Sequence, residues 1–290
     1  MKRLIQILLF LPFVFTYAQV ELPKYQPDEQ IIHHIGYSLS YNENHEQANW
    51  VAYELTENEV KGSVKRNDAF RSDPMISTGS AELSDYKGSG YDRGHLAPAA
   101  DMKWSALAMS ESFYMSNMSP QDPSFNRGIW KRLESQVRQW AMDNGSVYVA
   151  TGGVLLNGLN TIGSSSVSVP KYYYKVVLDY QDSDYKAIGF LMPNAASKQN
   201  LQDFAVTIDN VELITGIDFF HSLPDGIENS VESTISVSKW TFSTSKQYKN
   251  TQKSIKSSSS TAAQCLGYTK KESRCKRKTK DLSGYCYQHK

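Results

Sequence analysis

The sequence predicts an α+β domain with a mixed or antiparallel central sheet flanked by helices. Three observations carry this fold class. Asn126 to Asp143 has a helical apolar period, strand-like runs lie on both sides of it, and no internal repeat divides the chain. With 290 residues, 40% hydrophobic and 12% aromatic, the chain can build a sizeable core.

The N-terminus reads as an export signal. Lys2 and Arg3 precede an apolar run, Leu4 to Phe15, whose roughly dozen residues suit a signal peptide better than a membrane span. Thr16-Tyr17-Ala18 supplies a small-x-small cleavage site, so the mature protein is expected to be periplasmic or secreted. No later run has transmembrane length, so no membrane is expected to hold the mature form.

Residues 19–30, with Pro23 and Pro27, read as extended and poorly ordered. Ile31 to Tyr41 and Asn49 to Leu55 read as strands, because Tyr37, Leu39 and Tyr41 alternate with small or polar residues. Gly88-Ser89-Gly90 gives a flexible turn. It is not a dinucleotide fingerprint, since Gly94 comes one residue late and no strand–helix context surrounds it.

In the helix, Ile129, Leu133, Val137 and Trp140 form one apolar face, and Asn144-Gly145 ends it. Asn126, Trp130, Glu134 and Arg138 follow at four-residue steps along a slowly drifting stripe. The plain reading of that stripe is a surface Glu–Arg pair, with Asn126 as the N-cap. Val147 to Thr151, Tyr172 to Leu178 and Tyr185 to Leu191 read as strands, and Leu201 to Leu213 as a shorter helix. From Ser243 the composition changes, and Ser254 to Ala263 holds five serines and little that could pack. The expected organisation is a signal peptide 1–18, a folded domain 19–245, a Ser/Lys-rich linker 246–263 and a basic Cys/His tail 264–290.

The net charge of +1 hides an asymmetry. Residues 19–245 hold 17 Lys and Arg against 28 Asp and Glu, a net of −11, whereas residues 246–290 hold 12 against 2, a net of +10. An anionic polymer would be drawn to the tail rather than to the body.

The chemistry gathers in Tyr91-Asp92-Arg93-Gly94-His95-Leu96-Ala97-Pro98 and in Asn117, Asn126, Glu134 and Arg138. Cutting a phosphodiester needs an activated nucleophile, neutralised phosphoryl oxygens and support for the leaving alkoxide. His95 can take a proton from water near neutral pH. Mg²⁺ keeps several waters and often takes only one or two protein oxygens, so Asn126 suffices as a direct ligand and Glu134 can hold bound waters. Arg93 and Arg138 suit phosphate oxygens. No G-x-S-x-G element supports a serine hydrolase; Gly163-Ser164-Ser165-Ser166 does not satisfy it.

Asp92-Arg93-Gly94-His95-Leu96-Ala97-Pro98 resembles the signature of the endonuclease G-like DNA/RNA non-specific endonucleases, which have the His-Me finger, or ββα-metal, fold. Phe113 to Gln121 and Phe125 to Glu134 resemble the family's next blocks, and further blocks follow at Tyr148–Gly153, Val169–Lys175, Phe190–Asn194 and Thr215–Phe220. The resemblance covers roughly residues 31–242. It implies His95 as general base, Asn126 as direct ligand of Mg²⁺ (or Mn²⁺) and Glu134 as the holder of metal-bound water. Arg93 would contact phosphate or orient its neighbours, Arg138 would stabilise phosphate or leaving group, and Asn117 would hold His95 or the substrate backbone. An upstream arginine is also implied, with Arg66 and Arg71 both open. The implied substrates are DNA and RNA, cut with little sequence preference to leave 5′-phosphate ends, and a homodimer is compatible with this.

The tail spacing Cys265-x9-Cys275-x10-Cys286-x2-His289 offers a tetrahedral Zn²⁺ set, and the tail resembles short Cys/His modules on other bacterial proteins. The competing expectation is one disulfide and a third thiol. A rival function from another class is a non-catalytic nucleic-acid-binding protein that works through this tail.

Overall fold

β-branched and aromatic runs pair into a seven-stranded sheet in which every neighbouring pair is antiparallel. The computed structural model describes residues 19–181 and 184–242 and, in the tail, 263–264, 275–279 and 288. The strands of the main body are β1 (Gln30–His33), β2 (Ser38–Asn42), β3 (Gln47–Thr56), β4 (Asp92–His95), β5 (Met118–Gln121), β6 (Ser146–Gly153), β7 (Thr161–Ile162), β8 (Val167–Ser168), β9 (Tyr172–Asp179), β10 (Lys186–Pro193) and β11 (Ala205–Val206). The large sheet runs β1-β2-β3-β6-β9-β10-β11, while β4 pairs with β5 and β7 with β8. The α-helices are α1 (Glu57–Val60), α2 (Leu83–Tyr86), α3 (Ala106–Glu111), α4 (Pro123–Phe125), α5 (Lys131–Asn144), α6 (Ile208–Thr215) and α7 (Asp225–Ser233).

Strand alternation decides the layers. Trp50 and Ala52 of β3, Ala150 of β6, and Tyr174, Val176 and Leu178 of β9 share one face, which Ile208, Val211, Phe219, Phe220 and Val231 cover from α6, α7 and the loop between them. Their neighbours point the other way. The Tyr53 hydroxyl donates to Asp101, the Tyr173 ring stacks on Phe125 with centroids 5.4 Å apart, and Lys175 Nζ lies 4.9 Å over Trp130. With both faces covered, β9 is buried everywhere beyond Tyr172, which explains its continuous apolar run. On α5, fully buried Trp140 stacks on Phe190 and meets Trp240 at 4.6 Å, so its truncation to Ala would cost about 3–5 kcal/mol.

The α+β class holds, with four local corrections. The expected strand 31–41 is two strands, β1 and β2, because the chain folds back at Gly36 with the His34 N–H donating to the Tyr37 carbonyl at 2.8 Å. The helix expected from Asn126 becomes regular only at Lys131. Asp122 caps the preceding turn by accepting from the Ser124 and Phe125 N–H groups, and a wide turn spans Asn126–Trp130, with Gly128 outside helical geometry at φ −106°, ψ −109°. The predicted stop holds, with Gly145 at φ +87°. Leu201 to Leu213 is not one helix: a 3-10 turn, Leu201–Phe204, leads into β11, and the Thr207 cap starts α6 afresh. Residues 19–30 are tied down, with Leu22 buried and the Lys24 N–H donating to the Asp218 carbonyl at 2.8 Å.

The chain separates into two units, Met1–Trp240 and Thr241–Lys290. In the second, β12 (Ala263–Gln264) pairs antiparallel with β13 (Lys278–Thr279), Cys275 is buried, and Arg277 Nε donates to Gln288 at 3.1 Å. The expected leader 1–18, most of the linker 246–263, and Cys265, Cys286 and His289 lie outside the described residues. Among the described residues no helix is long and apolar enough to cross a membrane.

Candidate active site

The sequence that carries His95 forms β4, which runs antiparallel to β5 with His95 opposite Met118 and Asp92 opposite Gln121. Gly94 permits this approach, since a Cβ there would lie 2.2 Å from the Gln121 side chain. Asn117 locks the chain beyond the histidine. Its Oδ1 accepts from the Ala97 N–H, and its Nδ2 donates to the carbonyls of Ala97 and Ser112, each at 2.9 Å. Its own carbonyl accepts from the Leu96 N–H at 3.0 Å. Of the two roles expected for Asn117, this geometry matches a hold on the His95 segment through the backbone rather than through the imidazole.

The His95 ring sits edge-on to Phe70 and Phe113, with centroids 5.7 and 5.0 Å away, and its buried Nε2 has no protein hydrogen-bond partner. Burial, followed by the Arg66 charge, pushes its pKa down to about 3. Arg93 acts in the same direction, while Asp68 and a backbone hydrogen bond at Arg93 act against it. At neutral pH the ring is therefore uncharged and can accept a proton.

Two arginines lie over the aromatic rings beside His95. Arg93 is 4.3 Å over Phe70, and Arg66 is 4.7 Å over Phe113 while pairing with Asp68 at 2.6 Å. Arg71 faces elsewhere: it covers Tyr114 and donates to the Ala69 and Ser110 carbonyls and to the Ser110 hydroxyl. Of the two arginines that the sequence left open, Arg66 is the one whose charge lowers the His95 pKa.

Asn126 does not N-cap α5, which starts five residues later at Lys131. Its Nδ2 donates to Asp92 Oδ2 at 2.9 Å, and its Oδ1 accepts no hydrogen bond among the described residues. Arg127 grips both oxygens of Asp92, its Nε donating to the same Oδ2 at 2.8 Å and its Nη2 to Oδ1 at 2.5 Å. Burial would raise the Asp92 pKa, but the Arg127 guanidinium, the Asn126 amide and Arg93 hold it below the usual carboxylate range. An amide anchored by its nitrogen presents its oxygen, the donor a hard cation takes.

Glu134 and Arg138 lie together on α5. Arg138 Nη1 donates to buried Asp101 at 2.6 Å and Nη2 to Ser135 at 2.9 Å. Burial pushes Glu134 up to about 7 against the pull of Arg138 and Lys175, while Asp101 adds to the rise. Lys175 is fully buried, with Nζ unpartnered, and burial pushes it down against the attraction of Glu134 and Asp101.

Several residues of this site went unassigned in the sequence. Asp92 was read only as part of its motif. Asp101 and Gln121 gave no signal; both amide atoms of Gln121 are buried without a partner. Lys175 did give one, as a charged residue within an apolar strand run. Arg127 and Arg138 are both matched by aspartates, whereas Arg93, Lys131, Arg132 and Lys175 have no carboxylate within salt-bridge distance among the described residues.

A buried histidine on a short antiparallel pair, followed by an anchored asparagine leading into a helix, defines a His-Me finger nuclease. The chain matches the DNA/RNA non-specific endonuclease family over residues 18–226 and belongs to it. It is 38% identical over 202 residues to the mitochondrial nuclease EXOG of Danio rerio, covering 64% of this chain and 59% of that protein's length. It is 35% identical over 225 residues to a nuclease of Nostoc sp., covering 73% and 81%. A crystal structure of EndoG with EndoGI is similar at a TM-score of 0.64 and 31% identity, covering 68% of this chain and 87% of that one. The chain is a nuclease, and the non-catalytic alternative falls. These relatives also correct the expectation of a periplasmic or secreted protein. Those from Danio rerio, Homo sapiens and Schizosaccharomyces pombe are named mitochondrial and point there, although the Nostoc nuclease carries no such label. A charged start and a short apolar run do not by themselves specify a destination.

Proposed function

We propose that residues 19–245 are the catalytic domain of a Mg²⁺-dependent endonuclease that hydrolyses DNA and RNA without sequence specificity, leaving 5′-phosphate ends. The observation that carries this is the neutral, buried His95 with an unpartnered Nε2, on the same strand whose Asp92 anchors the Asn126 amide. Asn126 Oδ1 would hold the cation directly and Glu134 the waters around it; the anchored amide oxygen fits Mg²⁺ or Mn²⁺. When bound there, Mg²⁺ would supply charge neutralisation for the phosphoryl oxygens and the departing oxygen.

In this reading His95 Nε2 accepts a proton from water as its oxygen attacks phosphorus, and the bond to the 3′-oxygen breaks. Arg66 and Arg93 bind the phosphate. Arg138, anchored by Asp101, steadies Glu134 and the leaving side. Asn117 positions His95 through the backbone. The +10 tail recruits nucleic acid to a body of net −11. Plasmid nicking and RNA cleavage test the assignment. His95→Ala should abolish both in a folded protein, and EDTA should silence the wild type; activity of the variant within about tenfold of wild type overturns the mechanism.

On residue types alone, Cys265, Cys275, Cys286 and His289 are proposed to bind Zn²⁺ in the tail. One zinc per chain with reduced thiols supports this, and a Cys265–Cys275 disulfide without zinc overturns it.

A further inference from the structure

Across the sheet from α5, helices α6 and α7 bring three carboxylates together. Asp209 and Glu212 are three residues apart on α6 and so share a face, and Glu232 comes from the last turn of α7. One oxygen from each lies within 4.8 Å of the other two. Asp209 is exposed and Glu212 half-buried, while Glu232 is only 6% exposed. Glu232 Oε1 is buried and has no hydrogen-bond partner. Glu212 is held in place, since its Oε1 accepts from the Phe219 N–H at 2.7 Å.

The surroundings make this arrangement costly as it stands. Burial, then Glu212 and Glu228, push the Glu232 carboxyl up to about 9, with Asp209 and Asp218 adding to the rise. The nearby cation Lys24 is paired with Asp218 at 3.1 Å. A buried carboxyl group with an oxygen that no donor reaches, clustered with two further carboxylates, needs either a proton or a cation.

We propose that Asp209, Glu212 and Glu232 form a Ca²⁺ site that ties α7 to α6, separate from the nuclease centre. All three donors are hard oxygens, which select Ca²⁺ or Mg²⁺ over softer metals. Ca²⁺ binds oxygen at roughly 2.4 Å, so ligands on opposite sides of it are about 4.8 Å apart and the trio can close on it with little movement. Mg²⁺ demands a tighter octahedron and gives up water reluctantly, so it fits less well. The site does not depend on the nuclease reading.

The test uses full-length protein carrying Asn126→Ala, which removes the amide ligand at the nuclease centre. After EDTA treatment and dialysis, Ca²⁺ is titrated by calorimetry and thermal unfolding is followed at pH 8. One Ca²⁺ per chain is expected, with Tm rising by about 5 °C or more once Ca²⁺ exceeds Kd a hundredfold. Adding Glu232→Gln should abolish both signals. Asp209→Asn, at an exposed position, should weaken binding at least tenfold and carries the test if the Glu232 variant does not fold. The proposal is overturned if Ca²⁺ leaves the parent unchanged, or shifts parent and variants equally. It is also overturned if Glu232→Gln alone stabilises the protein while Ca²⁺ has no effect on the parent, because the trio is then held by a proton.

Discussion

The Asp92 carboxylate accepts a hydrogen bond of 2.9 Å from the Asn126 amide nitrogen. This contact decides which end of Asn126 is left for a cation. Asp92→Ala should let the amide rotate and lower the apparent affinity for Mg²⁺ by about 10–100-fold, as loss of a ligand's supporting partner does elsewhere. Nicking rates over a Mg²⁺ series measure this. Arg127→Ala removes the other partner of Asp92 but keeps the Asn126 contact, so its Mg²⁺ dependence should stay near wild type. Equal shifts in the two variants would mean that Asp92 acts through Arg127.

Arg66 and Arg71 should separate by phenotype. Arg66 lies over Phe113, exposed except for its pairing with Asp68, and its charge reaches His95. Arg66→Ala should lower kcat/KM by about 10–100-fold through lost transition-state charge stabilisation, with stability within about 0.5 kcal/mol of wild type. Arg71 donates to two backbone carbonyls and a hydroxyl. Arg71→Ala should cost about 1–3 kcal/mol in urea unfolding, while activity per folded molecule changes little. The reverse pattern would reassign the upstream arginine.

Asn117→Ala should be severely destabilising. It leaves the Ala97 N–H and the Ala97 and Ser112 carbonyls without the partner they have in a fully buried position. Buried orphans cost about 1–3 kcal/mol each, so three of them should cost roughly 3–9 kcal/mol in denaturant unfolding. Activity per folded molecule should also fall, because the backbone after His95 is no longer held. A variant with wild-type stability would show that water replaces the amide.

Much of this site was legible because its chemistry is local in sequence. His95, Arg93 and Asp92 share one short strand, and Asn126, Glu134 and Arg138 follow one another into α5. The strands β6, β9 and β10 were legible from apolar runs, because a sheet covered on both faces needs them. What remained hidden depends on tertiary contacts. Periodicity alone read Asn126 as an N-cap, because the groups that place it otherwise are Asp122, which caps the preceding turn, and Asp92, 34 residues earlier. The wide turn at Gly128 broke a stripe that four-residue spacing had made continuous. Arg66 and Arg71 are equivalent by residue type and differ only in what surrounds them.

The buried His95 also predicts a pH dependence of stability. Its folded pKa is about 3, against an ordinary value near 6.5 in the unfolded chain. Above pH 6.5 neither state carries the proton, and the ring contributes nothing to the pH dependence. As pH falls below 6.5 the unfolded chain takes up a proton that the folded ring refuses, so stability drops from there down towards pH 3. At about 1.4 kcal/mol per pH unit, the loss between pH 7 and pH 4.5 should be roughly 2–3 kcal/mol. His95→Asn removes this titration and leaves the carboxylates in place, so its stability should fall by that much less over the same interval. Urea unfolding of both proteins at pH 7 and pH 4.5 makes the comparison. Parallel losses would mean that the imidazole is solvated and titrates normally, and the lone pair at Nε2 would then no longer be protected for its role as base.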